Sequence, residues 1–279
     1  MKKEEQNSGF LVERWVKKII DRAKITDEER KEIREVIDKR IREKPYRVAI
    51  IGQGGVGKTS TIQSVFGVKP SNNNKIRSVE EGTPDVEEKL YDIRDGFRIS
   101  ISDMPGLKND ITKDEKIYIP LYKKILPECN LIIYVIDAHA KELGIDIKIL
   151  RDTVIPICRE AGITKNIIIA INKIDTIGQS FPEYKTNKEY HWDKIENKPT
   201  PTLANLIKER INQIYDKLID SGIYNYIDAR QTPAYSAVWA FNMQGILDAI
   251  LQSIDGWVFA GTVAEDVIAK WSEKKETNQ

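Results

Sequence analysis

The stretch VAIIGQGGVGKTS, residues 48–60, decides the fold. Its first residues are apolar and partly β-branched, as in a strand buried on both faces of a parallel sheet. GQGGVGKT at 52–59 then fits the pattern G-x-x-x-x-G-K-[ST], and a helical segment is expected from about 57 to 67. Strand, glycine-rich turn and helix start form the context that gives this pattern physical meaning. The glycines let the backbone curl so that successive N–H groups face inward, and the helix N-terminus adds a partial positive charge. Such a cradle suits a polyphosphate. Gly52, Gly54, Gly55, Val56 and Gly57 would wrap it, with Lys58 reaching its outer phosphates. The Thr59 hydroxyl would hold Mg²⁺, and Ser60 would join the residues that bind the ligand.

Outward from this point the chain alternates. Strands are expected near 88–94 and 97–102, with a turn at Asp95-Gly96 between them. LIIYVID at 131–137 and NIIIAIN at 166–172 are buried-strand runs with a helix near 144–160 between them. This rhythm predicts an α/β fold: a mostly parallel central sheet flanked by helices. Leu203, Leu206, Ile207, Ile211, Ile214 and Leu218 form one stripe of a further helix. A short strand should precede Ser236, and a helix should run from about 243 to 254.

Three segments depart from the rhythm. Residues 1–45 read as an N-terminal helical extension ended by Pro45, and 256–279 as a C-terminal one. Residues 176–200 read as a surface loop inserted into a nucleotide-binding domain spanning 46–255. The apolar side chains from Trp257 to Trp271 are expected to pack on the N-terminal helices, the alternative being a face for a partner or a membrane surface.

The base is read from NKID at 172–175, which ends an apolar strand. The Asp175 carboxylate can accept two hydrogen bonds from the N–H edge of guanine, an edge that adenine does not present. A site built on such acceptors rejects the wrong base by about 10⁴-fold or more, because its buried acceptors would go unpaired. Asn172 would tie this loop to the phosphate cradle, and Lys173 would cover the ring. At Ser236-Ala237, small side chains would let a backbone N–H approach the guanine carbonyl.

Composition narrows the remaining choices. The chain has 279 residues and a formal net charge of +1, so there is no global basic character to draw nucleic acid or an anionic membrane. Cys129 and Cys158 lie far apart and read as small buried side chains of a protein in a reducing cytoplasm. No uncharged apolar run reaches the roughly 18 residues of a spanning helix.

In its motifs the chain resembles the P-loop GTPases: GQGGVGKT (52–59), Thr83 in EEGTPD, DMPG (103–106), NKID (172–175) and SA (236–237). The D-x-P-G form followed by a hydrophobic residue looks most like the bacterial Era/TrmE branch, including the group described as ribosome-binding GTPases. The resemblance implies GTP or GDP as ligand, with Mg²⁺ held by Thr59, by Asp103 through water, and by Thr83 once GTP is bound. Lys58, Thr83 and the Gly106 N–H would then serve the γ-phosphate. Ser71 and Ser78 are the other hydroxyls of this loop open to the role of Thr83.

Leu107 stands where Ras-type members place a glutamine that orients the attacking water. Slow intrinsic hydrolysis is therefore expected, with help from an activating protein partner or a homodimer. Potassium-using members of the branch carry asparagine at the position of Gly55, so potassium activation is not expected. The rival expectation is a GTP-loaded binding module with negligible hydrolysis. Binding to the ribosome or another nucleic acid is a third possibility that the neutral charge does not support.

Overall fold

The computed structural model describes residues 44–66, 75–77, 86–92, 97–107, 114–140, 143–163, 166–228 and 233–259, with scattered positions between 26 and 39. Thr83, the expected first N-terminal helix and the tail beyond 259 lie outside the described residues. Of the second N-terminal helix, Asp27, Glu28, Lys31, Glu32, Glu35 and Lys39 are described; all are helical and exposed.

Six strands form one sheet: β1 (Tyr46–Gly52), β2 (Lys75–Arg77), β3 (Val86–Asp92), β4 (Arg98–Asp103), β5 (Leu131–Asp137) and β6 (Ile167–Asn172). Their order is β2-β3-β4-β1-β5-β6. β1 runs parallel to β4 and β5, and β5 is parallel to β6; β2 and β3 are antiparallel additions at one edge. The mostly parallel α/β architecture expected from the sequence is therefore present. Alternate residues of the inner strands enter two separate cores. Ala49, Ile51, Ile132 and Tyr134 face one, while Val48, Ile50, Ile133 and Val135 face the other. Burial on both faces explains why these strands are uniformly apolar.

Helices cover both faces. On one lie α1 (Lys58–Phe66) and α6 (Met243–Phe259). On the other lie α2 (Ile119–Ile125), the pair α3 (Gly144–Ile149) and α4 (Ile155–Glu160), and α5 (Pro201–Asp220). A π turn, Leu150–Val154, joins α3 to α4 without a break, and another, Asp114–Tyr118, leads into α2. Each π turn ends immediately before an Ile-Pro dipeptide, Ile119-Pro120 in one case and Ile155-Pro156 in the other. A proline lacks the N–H for the ordinary ladder and its ring crowds the preceding turn, so widening that turn keeps the helix going. The helical run at 114–125 has no counterpart among the sequence-based expectations, and Pro120 is what hides it.

Several expectations need correction. The strand expected before Ser236 is a single parallel bridge, Ile171 to Ala234, held by the Ile171 N–H to Pro233 O and the Tyr235 N–H to Ile171 O, each 2.8 Å. It lies beside β6 as a seventh, minimal rung. The strand expected at 88–94 begins and ends two residues earlier, and the last helix runs on to Phe259. Residues 176–200 are more than a loop. They continue the 3₁₀ segment Ile174–Ser180, form further 3₁₀ turns at Pro182–Lys185 and Lys188–Tyr190, and end in a small hairpin of β7 (Trp192–Asp193) and β8 (Lys198–Pro199). Their aromatics supply the packing: Tyr184 stacks on His191 at 4.1 Å, and Trp192 is buried.

The α5 stripe behaves as its spacing predicts. Leu203, Ile207, Ile214 and Leu218 are buried, with Leu206 and Ile211 packed partly against the same core. Thr200 caps the helix by accepting the Leu203 N–H at 3.3 Å. Cys129 and Cys158 are free and buried, as expected, and burial pushes the Cys158 thiol up to about 12. Among the described residues, no helix is long and apolar enough to cross a membrane.

Candidate functional site

β1 lies where the sheet's connectivity divides, with β4 on one side and β5 on the other. Crevices at the carboxyl ends of strands near such a point are where open α/β sheets hold ligands. The loops that follow β1, β4 and β6, and the loop after the Ala234 rung, gather at this edge. Every described residue that the sequence assigned to the nucleotide site lies on one of these loops or at the end of the strand or helix that borders it.

The loop after β1 is a tight cradle. Gly57 has φ +92°, and a Cβ there would come within 2.4 Å of the Asn172 side-chain nitrogen. Gly54 and Gly55 are exposed, whereas the Val56 side chain is buried in the core. Lys58 folds back over the loop, its ammonium donating to Gln53 O at 2.9 Å and Gly52 O at 3.3 Å. Burial lowers the Lys58 pKa, and the nearby Asp103 carboxylate works against that shift. Ser60 is exposed on the first turn of α1.

DMPGL closes on this cradle from the end of β4. The Thr59 hydroxyl donates to Asp103 Oδ2 at 2.6 Å, so the two oxygens expected to serve a metal are adjacent. Gly106 lies so close to the cradle that a Cβ would meet Gly54 N at 2.5 Å. Leu107 forms a bridge with Gln53, and its side chain is buried in the core that holds Met104 and Leu121. Tyr122 steadies the turn by donating to Pro105 O at 2.9 Å.

Asn172 joins three loops. Its amide donates to Val56 O at 2.9 Å, and its carbonyl accepts the Ala237 N–H at 3.0 Å. Lys173 adopts φ 63° and its ammonium is held by Asp137 Oδ2 at 2.6 Å. Among the described residues, Asp175 Oδ1 is the buried side-chain polar atom without a hydrogen-bond partner. Buried acceptors are rarely left so, which makes this oxygen a ready acceptor for a ligand's N–H groups. The backbone donors of Ser236 and Ala237 are both engaged: Ser236 N–H on Phe241 O at 3.2 Å, and Ala237 N–H on Asn172.

The sequence did not reveal a second layer behind these loops. Gln53 reaches past the cradle to Asp146 Oδ2 at 2.8 Å, and Tyr134 donates to the other oxygen at 2.9 Å. Asp146 is fully buried, and that burial raises its pKa. Thr61, on α1, donates to Gly57 O and shares a 2.8 Å hydrogen bond with the Tyr235 hydroxyl, while Ser64 donates to Ala237 O at 2.6 Å. In sequence, Asp146 sits in a stretch that reads as one turn of an amphipathic helix, so nothing there marked it.

The donor set fits Mg²⁺. Thr59 and Asp103 present hard oxygens side by side, and this ion takes one or two protein carboxylate or hydroxyl oxygens and completes its shell with phosphates and water. Among the described residues no cluster of three His, Cys, Asp or Glu forms an all-protein metal cage.

Residues 47–173 match the family described as 50S ribosome-binding GTPase. The tRNA modification GTPase MnmE of Clostridioides difficile is 29% identical over 203 residues, covering 71% of this chain and 40% of that protein. GTPase Der of Campylobacter hominis is 26% identical over 224 residues, covering 75% of this chain and 46% of that protein. The chain thus spans less than half the length of either relative. Among solved structures, a variant of Era from Aquifex aeolicus bound to GDP and aluminium fluoride is 23% identical over 74% of this chain and 56% of that one, with a TM-score of 0.49.

Proposed function

We propose that the chain is a P-loop GTPase of the TrmE/Era-like group, which its residues 47–173 match, and that it binds GTP and GDP with Mg²⁺ and hydrolyses GTP to GDP and phosphate. One observation carries the reading. Asn172 links the cradle carbonyl of Val56 to the backbone of Ala237, and three residues along the same loop Asp175 holds an unpaired buried oxygen. On this reading a phosphate cradle and a guanine-selective acceptor stand on loops that one side chain ties together.

Each residue then has a task. Backbone N–H groups of the cradle wrap the phosphates, and the Lys58 ammonium exchanges the carbonyls of Gly52 and Gln53 for the outer phosphates. Thr59 and Asp103 would hold Mg²⁺, which when bound neutralises charge on the phosphate oxygens. Gly106 lies against Gly54 of the cradle, and its N–H would serve the γ-phosphate. Thr83 supplies the switch hydroxyl in this reading.

No water-orienting group is available at position 107, since Leu107 is buried. We therefore assign the protein a slow intrinsic rate, on the order of 10⁻⁴ s⁻¹, with faster turnover when an activating partner or a second copy contributes the missing group. The burial of Leu107 also favours a second reading, a GTP-loaded binding module whose nucleotide turns over negligibly. Free buried thiols suit a cytoplasmic setting for either.

Calorimetric titration of nucleotide-stripped protein in Mg²⁺ tests the binding. GTP and GDP should bind while ATP and ADP do not, and equal affinity for adenine nucleotides would refute the assignment. Multiple-turnover phosphate release, measured together with sizing in GDP and in a non-hydrolysable GTP analogue, separates the two readings. Release that accelerates as the protein assembles supports the switch enzyme; its absence supports the binding module.

A further inference from the structure

Both ends of the base-reading apparatus touch the inserted segment. Asp175 enters it directly, and its hairpin β7–β8 packs on the turn that follows Ser236-Ala237. Three contacts make that packing. Asn197 donates its side-chain amide to Trp239 O at 3.0 Å and is itself braced within the hairpin by accepting the Trp192 indole N–H at 3.2 Å. The Trp192 ring lies nearly parallel to Trp239, with centroids 6.5 Å apart, and meets Phe241 edge-on at 5.0 Å. The Trp239 residue is gripped from its other side as well, its N–H donating to Ser236 Oγ at 3.3 Å.

The held turn is a strained one. Ala240 and Asn242 have φ of 48° and 56°, and Asn197 itself has φ 48°. Residues other than glycine keep such a backbone only where their surroundings enforce it. With the Ser236, Ala237 and Trp239 N–H groups all engaged inside the protein, the way the held turn carries Val238 sets the backbone donor that the loop would offer a base carbonyl.

We propose that segment 176–200 is a strap that sets the guanine-carbonyl side of the base site, with Asn197 as its positioning residue. The proposal rests on the guanine-nucleotide reading above. Asp175 recognises the N–H edge of the base, whereas the strapped turn recognises the carbonyl at C6. The two contributions are separable by chemistry. A 2,6-diaminopurine nucleotide carries an amine in place of that carbonyl and loses the N1 proton with it. An inosine nucleotide lacks only the 2-amine that Asp175 reads, so a variant that disturbs the carbonyl side alone shifts the first preference and leaves the second.

The test compares wild type with Asn197→Gly, which accepts the φ of 48° and so cuts the side-chain link without straining the hairpin. Diphosphates of guanosine, inosine and 2,6-diaminopurine riboside are titrated, and GDP release is timed. Expected are GDP release about 5-fold faster, and a preference for GDP over the diaminopurine nucleotide weakened by a similar factor, as one hydrogen bond's net contribution implies. The preference for GDP over the inosine nucleotide should not change. Asn197→Asp, which keeps an acceptor for the Trp192 indole but no donor for Trp239, should repeat the pattern if the glycine variant folds poorly. Unchanged release and ratios, or equal weakening of both ratios, would overturn the strap. Failure of wild type to bind GDP at all would instead overturn the reading beneath it.

Discussion

Gln53 donates its side-chain amide to Asp146 at 2.8 Å, fastening the first variable residue of the phosphate cradle to a carboxyl with no access to solvent. The backbone of the same glutamine accepts the Lys58 ammonium and bridges to Leu107. Cradle, lysine and the DMPGL turn therefore share one anchor.

That anchor has a pH signature. Burial raises the Asp146 pKa, the hydrogen bonds from Tyr134 and Gln53 oppose the shift, and the charge of Asp137 adds to it. The folded protein therefore keeps this proton to a higher pH than the unfolded chain, whose aspartates titrate near about 3.9. Its contribution is complete below that value and is lost as pH rises through the folded value. Asp146→Asn, which can still accept from Gln53 and donate to the Tyr134 oxygen, should melt higher than wild type at pH 7. The gap should close as the pH approaches about 4. Melting curves across this range check it, and a gap independent of pH would contradict it.

Asn172→Ala removes the link between Val56 and Ala237 and leaves two buried backbone groups unpaired. Each such loss costs about 1–3 kcal/mol. GDP affinity should fall between about 10- and 100-fold, with a lower melting temperature, in titration and thermal denaturation. Asn172→Asp keeps an acceptor for Ala237 alone and should fall between.

Leu107→Gln is expected to fail as a repair. Its amide would enter the core beside Met104 and Leu121 rather than face water, at a cost of about 2 kcal/mol or more. Single-turnover GTP hydrolysis should not rise, and the melting temperature should drop. Replacing Na⁺ by K⁺ should leave the wild-type rate unchanged, since Gly55 offers no side chain to a cation.

Asp175→Asn turns one carboxylate oxygen into a donor. It should weaken GDP by about 10²-fold or more while admitting a xanthine nucleotide, whose 2-carbonyl accepts what guanine's 2-amine would repel. Competition titration of GDP against xanthosine diphosphate measures the exchange.

The cradle, the DMPG turn and NKID were legible in the residues because each is a local device. A glycine pattern, a strand end and a short polar motif carry their geometry within a few residues, and burial on both faces leaves a parallel strand uniformly apolar. Helix 114–125 was obscured because Pro120 breaks the local pattern, and only the widened π turn before it shows how the helix survives. Segment 176–200 looked like a loop because 3₁₀ turns and a two-residue hairpin leave no period to detect.

What tertiary structure alone decided is which groups meet. No spacing in the chain announces that Asp146 would stand behind Gln53, that Leu107 would turn inward, or that Asn197 would hold Trp239, since each partner is set by how distant elements pack. Residue types specified the chemistry of the site; the folded sheet, by bringing its strand ends to one edge, specified the neighbours that aim it.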